Sequence, residues 1–178
     1  FKATMQAEII TIGDELLIGQ VVDTNSAWLG RTLGEDGIKV TQITSVQDDA
    51  DQIARAVNEA LARVSIVLVT GGLGPTRDDI TKHTLAELFG MRLVRDEQVY
   101  ETVRRQLAVR GIAFNELNRG QALVPDGCTV LPNRNGTAPG MWLERGGKIL
   151  VSMPGVPFEM KALVTNEVLP RLRTHFSL

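Results

Sequence analysis

The chain has 178 residues, of which 43% are hydrophobic and 22% charged, and its formal net charge is −2. These values are typical of one globular domain, and they exclude a disordered chain and a broad electrostatic surface for nucleic acid. No apolar run approaches the roughly 18–20 residues of a membrane span, and the lone Cys128 excludes an intramolecular disulfide, so we expect a cytoplasmic protein without a membrane or nucleic-acid partner.

The first half of the chain alternates predicted strands with predicted helices. Short apolar runs predict strands over 7–12 and 65–69, and a further strand is predicted between them over 38–46. Apolar residues at helical spacing predict a helix over 25–36 and another that begins after Asp48 or Asp49. Short connections in such an alternation favour parallel strands with helices on the faces of the sheet.

The second half continues the alternation and adds a hairpin. We expect a helix from about Asp79 to Gly90, a strand over 92–94, a helix after Asp96, a helical piece over 114–122 and a strand over 128–131. Gly146-Gly147 predicts a hairpin between strands 141–145 and 148–153. Pro157 opens a last helix, which Pro170 should kink or end. The chain is therefore predicted to be one α/β domain, with a mainly parallel sheet and an antiparallel hairpin at one edge.

Loops rich in glycine and proline follow several of these strands. In an open parallel sheet, ligands bind beyond the carboxyl ends of the strands. The candidate loops are 13–16, 71–76, 133–140 and 153–157. The last two place proline beside glycine, which suits either a rigid ligand-binding loop or a structural turn.

The loop 71–76 leaves a buried strand and enters a helix. Its glycines permit close backbone approach to a phosphate, although a tight turn explains them equally well. It is neither a Walker A loop nor a dinucleotide fingerprint. If it cradles phosphate, Gly72→Val should remove nucleotide affinity and lower the melting temperature only modestly.

Carboxylates cluster at the same predicted edge. Asp78 and Asp79 follow the glycine loop, where they would repel a phosphate unless a divalent cation intervened. The alternative is a helix N-cap beside a surface charge, with Lys82 also at the surface. Asp14 and Glu15 would join them if the first and third strands are neighbours. Further oxygen ligands on this side are Asp23, Asn25, Asp48 and Asp49.

Four motifs together resemble the molybdopterin-binding-like domain of the CinA family. They are GDELLIG-x5-N (13–25), TGGLGPTRDDIT (70–81), LPN-x2-GTAPG (131–140) and MPGVPFEM (153–160). The resemblance implies a three-layer α/β/α fold over residues 7–173, with tails at 1–6 and 174–178. It also implies metal-dependent hydrolysis of ADP-ribose to AMP and ribose 5-phosphate. The expected cofactor is Mg²⁺, Mn²⁺ or Co²⁺, and the expected assembly is a homodimer or homotrimer.

The resemblance, together with the charge argument that gives Asp78, assigns roles to individual residues. Asp79, Asp48 and Asp14 would be catalytic, and Asp14, Asp78 and Asp79 would hold the metal. The loop residues that would bind phosphate or nucleotide are Gly71, Gly72, Gly74, Pro75, Thr76, Gly136, Pro139, Gly140, Pro154, Gly155 and Pro157.

Two functions from different classes remain open. One is the metal-dependent pyrophosphatase. The other is a molybdopterin- or nucleotide-binding module without hydrolysis, or an adenylyltransferase-like relative. The carboxylates favour the enzyme, because phosphate binding alone does not require them. Nothing after residue 173 encodes the amidase-like domain of full CinA-type chains, so no amidase activity is expected.

Overall fold

The computed structural model describes residues 4–73 and 78–178 of the chain. The strands in these ranges are β1 (Met5–Ile12), β2 (Ile38–Val46), β3 (Ile66–Gly71), β4 (Leu93–Arg95), β5 (Leu123–Pro125), β6 (Thr129–Leu131), β7 (Gly140–Arg145) and β8 (Lys148–Met153). The helices are α1 (Asp14–Leu17), α2 (Thr24–Glu35), α3 (Ala50–Arg63), α4 (Asp78–Leu88), α5 (Glu97–Val109), α6 (Glu116–Gly120), α7 (Pro157–Leu163) and α8 (Leu169–Phe176).

The main sheet has six strands in the order β2-β1-β3-β8-β7-β6. The strands β2, β1, β3 and β8 pair in parallel, and β7 runs antiparallel to both of its neighbours. The turn between β7 and β8 is the predicted one, because Gly146 and Gly147 both have positive φ. The mainly parallel sheet and the edge hairpin are therefore confirmed.

Both faces of this sheet are buried. Ile9 and Leu68 belong to a core cluster with residues of α2, α7 and α8, whereas Ile10 and Val69 belong to a second cluster with residues of α3 and α4. Side chains of a strand alternate between faces, so a continuous apolar run serves both clusters. This arrangement confirms the three-layer α/β/α fold.

The predicted caps and turns decide several helix boundaries. Asp49, rather than Asp48, caps α3 by accepting a hydrogen bond from the Gln52 backbone N–H at 3.0 Å. Asp96 caps α5 in the same way through Val99.

Burial raises the pKa of the Cys128 thiol to about 11, so this group stays protonated and unreactive at neutral pH.

The region between α4 and β6 departs most from the sequence prediction. β5 was not predicted, and it pairs with β4 in a separate antiparallel sheet. The helical piece expected over 114–122 is the shorter α6. Lys82, expected at the surface, is 2% exposed and donates hydrogen bonds to the carbonyls of Gly120 and Leu123, which attaches α4 to this region.

The last helical segment accommodates its proline without ending. A π-helical turn over Val164–Val168 separates α7 from α8, and Pro170 lies in the first turn of α8. Pro170 has no N–H to donate, and the π-helical turn directly before it, in which the Leu169 N–H donates to the Val164 carbonyl, interrupts the regular α-helical pattern. The helix reaches Phe176 and β1 begins at Met5, so both extend into segments assigned to tails. None of the helices in the described ranges is both long enough and apolar enough to cross a bilayer.

Candidate functional site

A cleft of about 570 Å³ lies beyond the carboxyl ends of β1, β2 and β3, and the loop after β8 closes one side. The strands β1 and β3 are neighbours, which was the condition for Asp14 and Glu15 to lie near the residues that follow β3. In their register, Ile12 at the end of β1 stands opposite Gly71 at the end of β3. The loops that follow these strands therefore open at the same place, which is where ligands bind in sheets of this kind.

The backbone of Gly71, Gly72 and Gly155 forms a side-chain-free surface of this cleft, which we call the glycine floor. Gly71 and Gly72 have φ values of +91° and +71°. A Cβ at Gly71 would collide with the carbonyl oxygen of Ile12, and a Cβ at Gly155 would lie 3.2 Å from the Gly71 Cα. Glycine at position 71 is therefore required by the contact with Ile12, and glycine at position 155 lets the loop after β8 approach Gly71 closely.

The charged side chains that line the cleft in the described part of the chain are Glu15, Asp23 and Asp48, and all are acidic. We call this set the acidic wall. Asp14 is attached to it, because Asp14 Oδ1 accepts a hydrogen bond from the Asp48 backbone N–H at 3.3 Å. The structure thus brings the loops after β1 and β2 together, as predicted.

The residue of the Gly-Asp-Glu-Leu loop that faces the cleft differs from the one predicted from the sequence. Glu15 lines the cleft, whereas Asp14, the predicted ligand, lies against the backbone of Asp48. The cause is α1, a short helix over 14–17 where the sequence predicted a loop. Successive residues of a helix point in different directions, so the choice between the two carboxylates required knowledge of this turn.

Asn25 connects the cleft to the loop after β8. Its side-chain Nδ2 donates a hydrogen bond to the Gly155 carbonyl at 2.8 Å, across 130 positions of sequence. Asp23 caps α2 by accepting from the Ser26 backbone N–H at 3.0 Å. The start of α2 is thereby fixed against the glycine floor. The sequence placed Asn25 in a motif, but its role as a tether depends on tertiary structure.

A divalent cation is consistent with the donors present, although the described side chains do not form a complete site. The described residues contain no group of three or more His, Cys, Asp and Glu side chains placed to hold a metal. However, Mg²⁺ is commonly held by one or two carboxylates together with substrate phosphates. Asp48 and Glu15 supply such carboxylates on one cleft.

Several predicted residues lie outside the described residues. They are Gly74, Pro75, Thr76 and the side chains of Asp78 and Asp79. Their assignment to phosphate, metal and catalysis stays a prediction. The helix α4 begins at Asp78.

The remaining predicted residues divide between the cleft and other places. Gly155 and Pro157 line the cleft. Gly136 and Pro154 line a second cavity, of about 310 Å³, and Pro139 lines a third, of about 300 Å³.

The position of Gly140 does not fit the predicted role in binding phosphate or nucleotide. It is a buried residue of β7, where a Cβ would lie 3.0 Å from that of Leu131 and 3.4 Å from Leu163 Cδ2. It permits close packing of the sheet against α7, and the structure does not place it on the cleft.

Comparison with known proteins identifies the family. Residues 8–174 match the family described as "Probable molybdopterin binding domain". A CinA-like protein of Cytophaga hutchinsonii is 49% identical over 170 residues, which cover 96% of this chain and 41% of that protein. A CinA-like protein of Gemmatimonas aurantiaca is 47% identical over 171 residues, covering 95% of this chain and 40% of that protein. The chain therefore spans about two fifths of the length of these relatives.

Solved structures agree with this assignment. The protein CinA from Thermoplasma acidophilum, described as having unknown function, matches with a TM-score of 0.85 at 36% identity, covering 94% of this chain and 98% of that one. A molybdenum cofactor biosynthesis protein B matches with a TM-score of 0.64 at 21% identity, covering 98% of this chain and 95% of that one. The second likeness shows the shared fold alone.

The glycine floor yields a stability prediction that corrects the one made from sequence. A Cβ at Gly72 would lie 2.5 Å from Thr81 Oγ1 and 3.0 Å from Ile12 Cγ2, and both neighbours are buried. We therefore revise the expectation for Gly72→Val, which should lower the melting temperature more than modestly. A larger side chain here disturbs the fold as well as any ligand contact, so lost binding in that variant would not identify a phosphate cradle.

We predict that Gly72→Ala is less stable than Gly90→Ala by about 1–3 kcal/mol, which is typical of overpacking in a core. Gly90 is the matched control, because its φ is also positive, at +64°, but nothing lies within 4 Å of its Cβ position. Both variants place alanine at positive φ, so this shared cost cancels in the comparison. The remaining difference in stability is the cost of the steric contact at Gly72. Urea unfolding of both variants measures it, and equal losses of stability would contradict the close contact at Gly72.

Proposed function

The chain belongs to the CinA-like proteins of the molybdopterin-binding domain family, and on that premise we propose that this domain hydrolyses ADP-ribose to AMP and ribose 5-phosphate with the help of a divalent cation. The observation that carries the proposal is the combination of a glycine floor and an acidic wall in one cleft. The first suits a diphosphate, whereas the second has no use in simple phosphate binding. The proposal concerns this domain and not the longer relatives.

The glycine floor supports binding of a diphosphate through the backbone. Gly71 and Gly72, with positive φ and no side chains, let phosphate oxygens approach the main chain closely. The Asn25 tether holds Gly155 beside them. A binding surface that is fixed before the ligand arrives loses little conformational entropy on binding.

The acidic wall would oppose this binding unless its charge were compensated. A unit charge at 4 Å from another contributes about 1 kcal/mol in water and about 4 kcal/mol at the effective dielectric constant of a protein surface. Asp48 and Glu15 would hold the cation, and the resemblance adds Asp14, Asp78 and Asp79. When bound, a divalent ion supplies neutralisation of the diphosphate and acidifies a coordinated water.

The chain's own groups would perform the remaining steps. Hydrolysis joins a water oxygen to one phosphorus and breaks the bridging P–O bond, so that AMP and ribose 5-phosphate leave. The carboxylate of Asp48 is our candidate for orienting the water and accepting its proton, because it lines the cleft and its backbone is held by Asp14. Leu16, Val21 and Val22 add apolar side chains to the lining of the same cleft.

The direct test is incubation of the protein with ADP-ribose and Mg²⁺, Mn²⁺ or Co²⁺ in turn, with products identified by mass spectrometry. We expect AMP and ribose 5-phosphate in equal amounts with at least one ion, and none after chelation. A panel that includes FAD would define the substrate class. Failure to form AMP with any ion, together with binding of a pterin, would instead assign the cleft to a non-hydrolytic module.

Asp48 and its neighbour offer a matched pair of variants. We predict that Asp48→Asn lowers AMP release by on the order of 10²-fold, which is typical of the loss of one group that stabilises a transition state. Asp49→Asn should keep near-normal turnover, because Asp49 caps α3 and asparagine is an equally good cap. Initial rates at saturating metal give the comparison. Similar rates for the two variants would remove Asp48 from the chemistry.

Asp79 is the second site for mutagenesis, because the resemblance makes it an essential acidic residue. We predict that Asp79→Asn reduces turnover by about 10²-fold or more, while metal-free binding of ADP-ribose is unchanged or tighter, since a repulsive charge is lost. If Asp79 is only an acidic residue in the first turn of α4, turnover and metal-free affinity should both stay near the wild-type values. Rate measurements and calorimetry on the same protein preparation distinguish these outcomes.

A further inference from the structure

A second cavity adjoins the cleft and has no role in the proposed hydrolysis. Its volume is about 310 Å³, and it lies between the loop 133–140 and the start of α7. It shares Leu73, Gly155 and Val156 with the cleft. A molecule that lies across the glycine floor can therefore extend from one cavity into the other.

An exposed aromatic ring lines this second cavity. Phe158 has 60% of its surface exposed, and every other Phe, Trp or Tyr in the described ranges is at least half-buried. The chain has few aromatic residues, and the others in these ranges are buried or half-buried. A ring that the fold leaves in solvent beside a cavity is suited to stacking on a planar ligand.

The other side chains of the second cavity suit a planar, polar heterocycle. Leu73 and Val156 add apolar surface next to Phe158. Asn135 and Thr137 offer hydrogen-bonding groups for the edge of such a ring, and Arg110 offers a planar cation that can stack on its face. Apolar walls with a few polar groups are typical of sites for small organic ligands.

One wall of this cavity is held rigid by buried hydrogen bonds. Asn133 Nδ2 donates to Glu159 Oε1 at 2.7 Å and to the Ala138 carbonyl at 2.8 Å, and Asn133 Oδ1 accepts from the Asn135 backbone N–H at 3.0 Å. A Cβ at Gly136 would collide with the Glu159 carboxylate. The loop is thus packed tightly on α7, and the cavity keeps its shape before a ligand binds.

We propose that the second cavity is the subsite for the nucleobase of a bound nucleotide, which stacks on Phe158 while the phosphates lie over the glycine floor. The assignment deepens the proposed function and rests on it for the position of the phosphates alone. The acidic wall then surrounds the diphosphate and its cation, whereas the base occupies the part of the surface that carries an aromatic ring and an arginine. The geometry thereby orients the nucleotide.

The test compares a ligand that has a base with one that lacks it. AMP and ribose 5-phosphate are titrated by calorimetry, with Mg²⁺ present, into the wild type, Phe158→Ala, Phe158→Trp and Leu117→Ala. Neither ligand contains the bond that the proposed reaction cleaves, so the measurement does not depend on turnover. Leu117 is a matched control, because it is also exposed, at 55%, and lies in α6, outside the residues that line either cavity.

We expect Phe158→Ala to weaken AMP binding by about 5- to 150-fold, the range that corresponds to the stacking of one base on an aromatic side chain. Ribose 5-phosphate affinity should not change, Phe158→Trp should retain AMP affinity, and Leu117→Ala should behave as the wild type. Thermal melts verify that the variants are folded, and truncation of an exposed side chain should leave them so.

Several results would overturn the subsite. They are undetectable AMP binding by the wild type, equal AMP affinity of Phe158→Ala and wild type, equal losses for the two ligands, or Phe158-dependent binding of a pterin but not of AMP. An unchanged AMP affinity with a loss of self-association in light scattering would also overturn it, because Phe158 would then be an interface residue. Failure of the hydrolysis proposal looks different: no AMP is formed from ADP-ribose, yet AMP binding still depends on Phe158.

Discussion

The backbone contact between Ile12 and Gly71 is the constraint on which the rest of the structure depends. β1 and β3 pair in parallel up to this point, and the Ile12 carbonyl occupies the space that a side chain at Gly71 would need. The chain can leave β3 there only through glycine at positive φ. Gly155 then packs against Gly71, so the loop after β8 opens at the same place. One steric condition thus sets where three loops converge and where a ligand can reach the backbone.

Much of the fold could be predicted because its signals are local or repeat along the chain. The central strands are short apolar runs because they are buried on both faces, and the hairpin is encoded by two glycines. The pairing of β4 with β5 could not be predicted, since each strand has three residues and their contact depends on tertiary structure. Pro170 illustrates the same limit: the sequence predicts a kink or an end of the helix, whereas the structure has a π-helical turn directly before the proline, a form of interruption that leaves no comparable sequence signal.

In the candidate site too, features encoded by local sequence could be predicted, whereas features that depend on tertiary structure could not. The loops after β1 and β2 could be predicted to lie close together, because parallel strands end at one edge of a sheet, and the hydrogen bond from the Asp48 backbone to Asp14 joins these two loops. Which carboxylate faces the cleft could not be predicted, because a single short helix decides between Asp14 and Glu15. The tether from Asn25 to Gly155 joins positions too distant in sequence for any local pattern to relate them.

The distribution of charge around the two cavities gives the site a direction. The cleft is lined by acidic side chains in the described part of the chain, whereas the second cavity is lined by both Arg110 and Glu159, and the Glu159 carboxylate accepts a hydrogen bond from Asn133. A diphosphate gains nothing from the acidic wall by itself, so its binding there must be coupled to a cation, and the affinity should depend on the supply of that cation. The proposed stacking on Phe158 would be insensitive to the cation, because stacking depends on buried surface and ring geometry. In the proposed site, a nucleotide would thus be held at one end by a contact that does not need the metal and at the other by one that does. Such a site can retain its ligand without the cation and still require the cation for chemistry.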